Sequence, residues 1–191
     1  MTVSVWILGD QLVPDHPALG WASSEYPTHD IYVLMIESKA RAHRKSYTAH
    51  KLVLIFSAMR HYAEDLREKG FRVDYRVATD MTSALTAHID AYQPAILIMM
   101  NASSYRGRCY QQNLDEKLDV PVKRLPNKMF LSNRFDPFPD IGAEDTVRQE
   151  TFYREMRRHF NLLMDETGQP EGGQWNFDKQ NRKKLPAEKQ I

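Results

Sequence analysis

The chain has 191 residues, enough for one domain with an appendage and a substantial core. With 42% hydrophobic and 27% charged residues it is not disordered throughout, and a net charge of +1 gives no broad field for recruiting nucleic acid. The longest apolar runs, such as "AILIMM" at 95–100, are too short to span a bilayer.

The expected setting is cytoplasmic and without membrane contact, because no secretory leader opens the sequence and Cys109 is the single cysteine. One thiol permits neither an internal disulfide nor an iron–sulfur cluster held by four thiolates. The seven histidines never recur at a metal-binding helical spacing, so no metal site is expected.

In chain order, the first strand is predicted over "VSVWIL" (3–8) and the second over "DIYVLMIE" (30–37). A long helix follows over 48–69, where Leu52, Ile55, Phe56, Met59, Ala63 and Leu66 recur at steps of three and four. Arg60, Glu64, Arg67 and Glu68 lie on its other side, and Gly70 stands where a left-handed residue closes a helix. "RVDYRVA" (72–78) is the third strand. A helix capped by Asp80 then runs to about Gln93, before Pro94. "AILIMMN" (95–101), a helix over 104–118 and "VPVKRL" (120–125) complete the alternation. Several strands are apolar at consecutive positions, as when helices cover both faces of a parallel sheet. Residues 1–125 are therefore read as a doubly wound, Rossmann-like α/β domain. It holds a mostly parallel five-stranded sheet with helices on both faces.

Residues 126–191 are read as a loop, helix and linker. "PNKMFLSNRFDPFPDIGAEDT" is rich in proline and loop-like. Thr146 with Gln149 resembles a capping box opening a helix to about Met164, with Phe152, Met156, His159 and Leu163 along one side. The tail at 178–191 is basic and lacks periodicity.

In a doubly wound sheet, ligands bind beyond the carboxyl ends of the strands. Gly9, Asp10, Gln11 and Leu12 follow the first strand and Glu37 closes the second. A glycine lets a flat ligand approach the backbone, and the acids and amide can hold ring N–H groups or ribityl hydroxyls. Position alone leaves this ligand site and a plain turn with solvated acids equally open. Neither G-x-x-x-x-G-K-[ST] nor G-x-G-x-x-G is present, which disfavours a nucleoside triphosphate enzyme. No G-x-S-x-G elbow marks a serine nucleophile, so no catalytic residue is assigned. "FYREMRRHF" (152–160) interleaves aromatics with arginines. It suits a nucleic-acid backbone, though a plain amphipathic helix is the simpler reading.

Taken together, "ILGDQL", "LIFSAMRHYAEDLREKGFRVDY", "PNKMFL" and "FYREMRRHFNLLMDETGQPEGGQWNFDKQNRKKLP" resemble the bacterial photolyase-related proteins. That family is the iron–sulfur branch of the photolyase/cryptochrome superfamily. The resemblance implies the N-terminal portion of a longer blue-light flavoprotein. Its members repair (6-4) photoproducts in damaged DNA or act as cryptochromes. It further implies FAD and a [4Fe–4S] cluster in a C-terminal helical flavin domain, outside this chain. The α/β domain would hold an antenna chromophore, 6,7-dimethyl-8-ribityllumazine, and this portion alone would repair nothing.

By motif match the antenna residues would be Gly9, Asp10, Gln11, Leu12 and Glu37, with Lys51 and Ile55 one helical turn apart. Asn181 and Arg182 match a linker motif. The sequence departs from the family at Tyr47, Thr48 and Ala49, where relatives carry a basic run. An independent small-molecule enzyme for a nucleoside-like substrate, using the same crevice, is the alternative.

Overall fold

A computed structural model describes residues 1–142 and 144–178. Asn181, Arg182 and the basic cluster at 179–184 lie outside the described residues. Backbone contacts divide the chain into two units, Met1–Met129 and Phe130–Ile191.

The first unit is built on five strands: β1 (Val3–Ile7), β2 (Ile31–Ser38), β3 (Arg72–Ala78), β4 (Leu97–Met100) and β5 (Val122–Leu125). All pair in parallel, in the order β3-β2-β1-β4-β5. Connections α1 (Pro17–Glu25) and α3 (Ala49–Glu68) cover one face, and α4 (Met81–Tyr92) and α5 (Tyr105–Gln112) cover the other. Period-two alternation in β1 distributes the packing. Val3, Val5 and Ile7 enter the core with Ala22, Met59 and Leu66, while Trp6 and Leu8 enter the core with Leu85, Ile89 and Leu114. Each of the valine, leucine, isoleucine and methionine side chains among these contributes about 1.5–3 kcal/mol by burial. Sheet and double winding are as the sequence predicts.

Two helices escaped the sequence reading. The stretch "PALGWASSE" folds as α1 although it carries almost no apolar periodicity. Its start is marked instead by Pro17 in the first turn and by His16, whose Nδ1 accepts from the Ala18 amide at 3.2 Å. One short turn, α2 (Lys39–His43), follows β2 directly, capped by Ser38. Asp80 caps α4 through the Ser83 amide as expected. By contrast, α5 stops at Gln112 rather than 118, and residues beyond it continue as turns.

In the second unit the helix is α6 (Gln149–Phe160). The expected capping box does not form: Arg148 occupies the cap position with no side-chain bond. Asn161 adopts a left-handed conformation that ends the helix, so Leu163 leaves the apolar side and stands exposed.

Candidate functional site at the carboxyl end of the sheet

A cleft of about 300 Å³ opens beyond β1 and β2, under the N-terminal half of α3. Leu8, Ile36, Leu52, Ile55, Phe56 and Met59 form its apolar walls. Asp10, Ser38, Arg41, Tyr47 and Lys51 supply polar groups. This volume lies at the lower end of the range for small-ligand pockets, and the mixture of dry walls with few polar groups is typical of them.

The cleft exists because the apolar stripe of α3 is longer than the sheet beneath it. Met59, Ala63 and Leu66 are sealed against the strands. Leu52, Ile55 and Phe56, one to two turns earlier, overhang the strand ends and are only half-buried. Thr48 starts the helix there, its hydroxyl accepting from the Lys51 amide, which fixes Lys51 at the mouth. Lys51 Nζ lies 4.8 Å from the Tyr47 ring centroid. The Tyr47 phenol is held below its ordinary range, chiefly by a hydrogen bond from Arg44.

Gly9 and Asp10 are the central residues of a turn closed by the Gln11 amide on the Leu8 carbonyl, and both line the cleft. Turn and cleft lip are thus the same residues. A Cβ on Gly9 would stand 2.6 Å from Met59 Sδ, so the glycine is needed for the approach of α3 as much as for any ligand.

Of the seven residues assigned to the antenna from sequence, the structure brings four to the cleft: Gly9, Asp10, Lys51 and Ile55. The other three face elsewhere. Leu12 packs against the core with α1 and α3. Glu37 is 5% exposed, and its carboxylate is taken by Arg60 (2.7 and 3.1 Å) and the Tyr75 hydroxyl (2.5 Å). Gln11 is fully buried. Its Oε1 accepts from the Leu8 amide, and its Nε2 donates to the carbonyls of Met100 and Asn101.

That placement of Gln11 ties the turn after β1 to the end of β4, where the strand order reverses. Gln111 and Asn127 complete the tie, donating to the Met100 and Asn101 carbonyls at 3.0 Å each. Three buried side-chain amides therefore satisfy the backbone at the end of β4.

A serine–histidine–aspartate chain is also present. His88 Nε2 lies 2.7 Å from Ser4 Oγ, and its Nδ1 lies 2.7 Å from Asp74 Oδ2. Ser4 and His88 are wholly buried in the middle of β1 and α4, and neither is among the lining residues of the cavities described. No substrate reaches Ser4, so this arrangement pins α4 to the sheet. Burial would raise the Asp74 carboxyl, but hydrogen bonds from His88 and Arg76 bring it below its ordinary range.

In the second unit, the arginines of α6 are largely engaged. Arg157 is 6% exposed, donating to the Leu162 and Leu163 carbonyls and to the Tyr153 hydroxyl. Arg154 pairs with Glu150 and Arg158 with Glu155, and all three guanidiniums lie over the Trp175 ring. This is the amphipathic helix with internal partners, not a free basic face. Among the described residues no group of three or more His, Cys, Asp or Glu could hold a metal, and no helix is long and apolar enough to cross a membrane.

The fold and cleft define a doubly wound α/β domain with an open cleft beside its first two strands. Residues 5–191 match the family described as deoxyribodipyrimidine photo-lyase-related protein. The chain belongs to that photolyase-related family. It is 34% identical over 188 residues to a (6-4) photolyase of Agrobacterium fabrum, covering 95% of this chain and 36% of that protein. It is also 22% identical to uncharacterized protein R852 of Acanthamoeba polyphaga mimivirus, covering 82% of this chain and 84% of that one. Among solved structures, hypothetical protein MJ0577 is similar with a TM-score of 0.46 at 13% identity, over 68% of this chain and 99% of that one.

Proposed function

We propose that this chain is the antenna-binding portion of a photolyase-related blue-light flavoprotein, and that the cleft under α3 holds a flat heteroaromatic pigment with a hydroxylated tail. The observation that carries this reading is the half-covered apolar stripe of Leu52, Ile55 and Phe56 facing Gly9 and Asp10 across about 300 Å³. Membership of the family and the 34% identity to a (6-4) photolyase support it. The pigment the family implies is 6,7-dimethyl-8-ribityllumazine.

The residues present suit that group. Ile55 and Phe56 offer faces to a thin fused ring, while Asp10 accepts from N–H or O–H groups and Lys51 and Ser38 donate to ring carbonyls or hydroxyls. When bound, the lumazine would supply near-ultraviolet or blue absorption and pass excitation to a flavin. The chain's own part is to fix the ring's orientation and keep water from its faces. The flavin FAD, the [4Fe–4S] cluster and the contact with damaged DNA belong, in this proposal, to a C-terminal helical domain of the same protein. Repair, if the whole protein performs it, would reside there.

Titrating the purified chain with the lumazine tests the reading. A saturable shift or quenching of its absorption and emission is expected. Ile55→Trp, which fills the cleft, should weaken binding more than about 100-fold while leaving the fold intact, since Ile55 is only half-buried. No spectral change with the native chain, or equal binding by Ile55→Trp, would defeat it.

A further inference from the structure

The helix α3 has two long faces, and the core uses only one of them. Met59, Ala63 and Leu66 are buried against the sheet. The opposite side, read at steps of three and four, carries His50, Val53, Leu54, Ser57, Ala58 and His61, and all six are exposed. Val53 is 65% and Leu54 71% exposed. Other exposed large apolar residues of the first unit, such as Met1, Val77 and Tyr105, lie singly on separate elements, which needs no explanation. Two neighbouring aliphatic side chains followed by small residues are different: they form a stripe where the outer side of a surface helix ordinarily carries charge.

The charges that flank this stripe are set against the helix's own dipole. Arg44 and Lys45 lie just before the positive end of α3, and its first turn holds no acid. Glu64, Asp65 and Glu68 continue the outer side into the last turns, beside the negative end. Glu64 is paired with Arg67 at 2.6 Å. Lys45, Asp65 and Glu68 make no ion pair among the described residues. Each end of α3 thus offers the charge that would suit the other. Within one chain the ends cannot meet, since a helix of 20 residues separates them by about 30 Å. Two copies laid antiparallel would bring basic end against acidic end, twice.

We propose that the outer face of α3 is a self-association surface, on which a second copy of this chain docks its own α3 antiparallel about a two-fold axis between Leu54 and Ser57. Such an interface is isologous, and this stripe is complementary to itself. The axis sets Leu54 opposite Ser57 and Val53 opposite Ala58, so large side chains of each copy fill the space that small ones leave on the other. Helix axes can then approach to about 8 Å. His50 meets His61 at both rims, and beyond them Lys45 comes to face Asp65. One helix pair buries about 1,000 Å² at most, the low end for a specific complex, so the dimer is a weak one. Val53 and Leu54 are not among the walls of the cleft, so this surface and the pigment reading stand or fall separately.

Sedimentation equilibrium of the full chain, from about 1 to 300 μM, tests this. A reversible monomer–dimer equilibrium with a dissociation constant of about 10–100 μM is expected. Leu54→Glu, at a side chain outside the core, should weaken it more than about tenfold with an unchanged circular dichroism spectrum. Asp65→Lys should weaken it about fivefold, and Lys45→Glu added to the same chain should restore it, because those positions face each other only across the two-fold axis. A chain that stays monomeric at every concentration would overturn the proposal. So would a dimer indifferent to Leu54→Glu, which must use another surface, or a double variant no better than Asp65→Lys, which would exclude the antiparallel arrangement. A monomer that instead binds vesicles of anionic phospholipid, and loses them in Leu54→Glu, would assign the face to a lipid surface and overturn it as well.

Discussion

Two crevices lie side by side at the carboxyl end of this sheet, and they have opposite fates. Between β1 and β4, where the order of strands reverses and ligands are most often found in such folds, Gln11, Gln111 and Asn127 bridge the strand ends and satisfy the backbone, with Gln111 also bordering the cavity that Trp6 lines. One strand over, beside β1 and β2, the turn at Gly9 and Asp10 leaves space under an overhanging helix. The difference comes from what each adjoining segment carries. Side-chain amides of the right length can both donate and accept, so they close a crevice; leucine, isoleucine and phenylalanine at the same depth cannot, and leave it open to an apolar guest.

Breaking the closed side should have the largest effect on stability. Gln11→Ala leaves the Leu8 amide without its side-chain acceptor and a void between β1 and β4, and is expected to cost about 3 kcal/mol in chemical denaturation. A loss below about 1 kcal/mol would mean the amide lock is ornamental.

The same loop holds a second, pH-dependent test. His16 is 1% exposed with an unpartnered Nε2, and burial lowers its pKa from 6.5 to about 4. Its folded pKa lies below the unfolded one, so the unfolded chain binds more protons between these values. Stability is therefore complete above pH 6.5 and lost as pH falls towards 4, by about 2–3 kcal/mol. Asp74, also lowered, extends the loss at more acid pH, as its carboxylate gains a proton. His16→Asn keeps a cap acceptor for Ala18 and should flatten the upper part of that slope in unfolding curves recorded from pH 7 to 4.5.

The smallest effect sharpens the border of the open side. Glu37→Gln should cost about 1 kcal/mol, because Arg60 and Tyr75 lose a charged acceptor at a site where the arginine remains largely solvated. It should change lumazine affinity less than twofold. A tenfold loss of affinity without loss of stability would return Glu37 to the ligand.

How far the sequence reveals all this follows from the range of each interaction. The strands β1, β2 and β4 are short apolar runs bounded by turns, β3 alternates in Val73, Tyr75 and Val77, and α3 and α4 carry their own caps and periodicity, so local pattern suffices for these. The helix α1 is hidden because its small residues bury without alternating, and the real end of α6 depends on one left-handed asparagine. At the site, Gly9 and Asp10 are readable as a turn after a buried strand, and Lys51 and Ile55 as one helical face. Arg41 carries no such mark, and Tyr47 and Phe56 read only as a departure from the family pattern and as part of an apolar stripe, so their place in the cleft walls comes from the fold. Glu37 and Gln11 look equally suited to a ligand in one dimension. Only the fold shows that Arg60, Tyr75 and the end of β4 reach them first.

Met59 ties the interior to the cleft. Its sulfur occupies the space a side chain at position 9 would need, its shaft belongs to the core with Ala63 and Leu66, and its flank is a wall of the cavity. The width available to a guest is therefore set by the same flexible thioether that completes the protein's interior. A lineage that exchanged this methionine for a smaller or branched residue would alter cargo size and domain robustness in a single step, so the two traits are bound to evolve together.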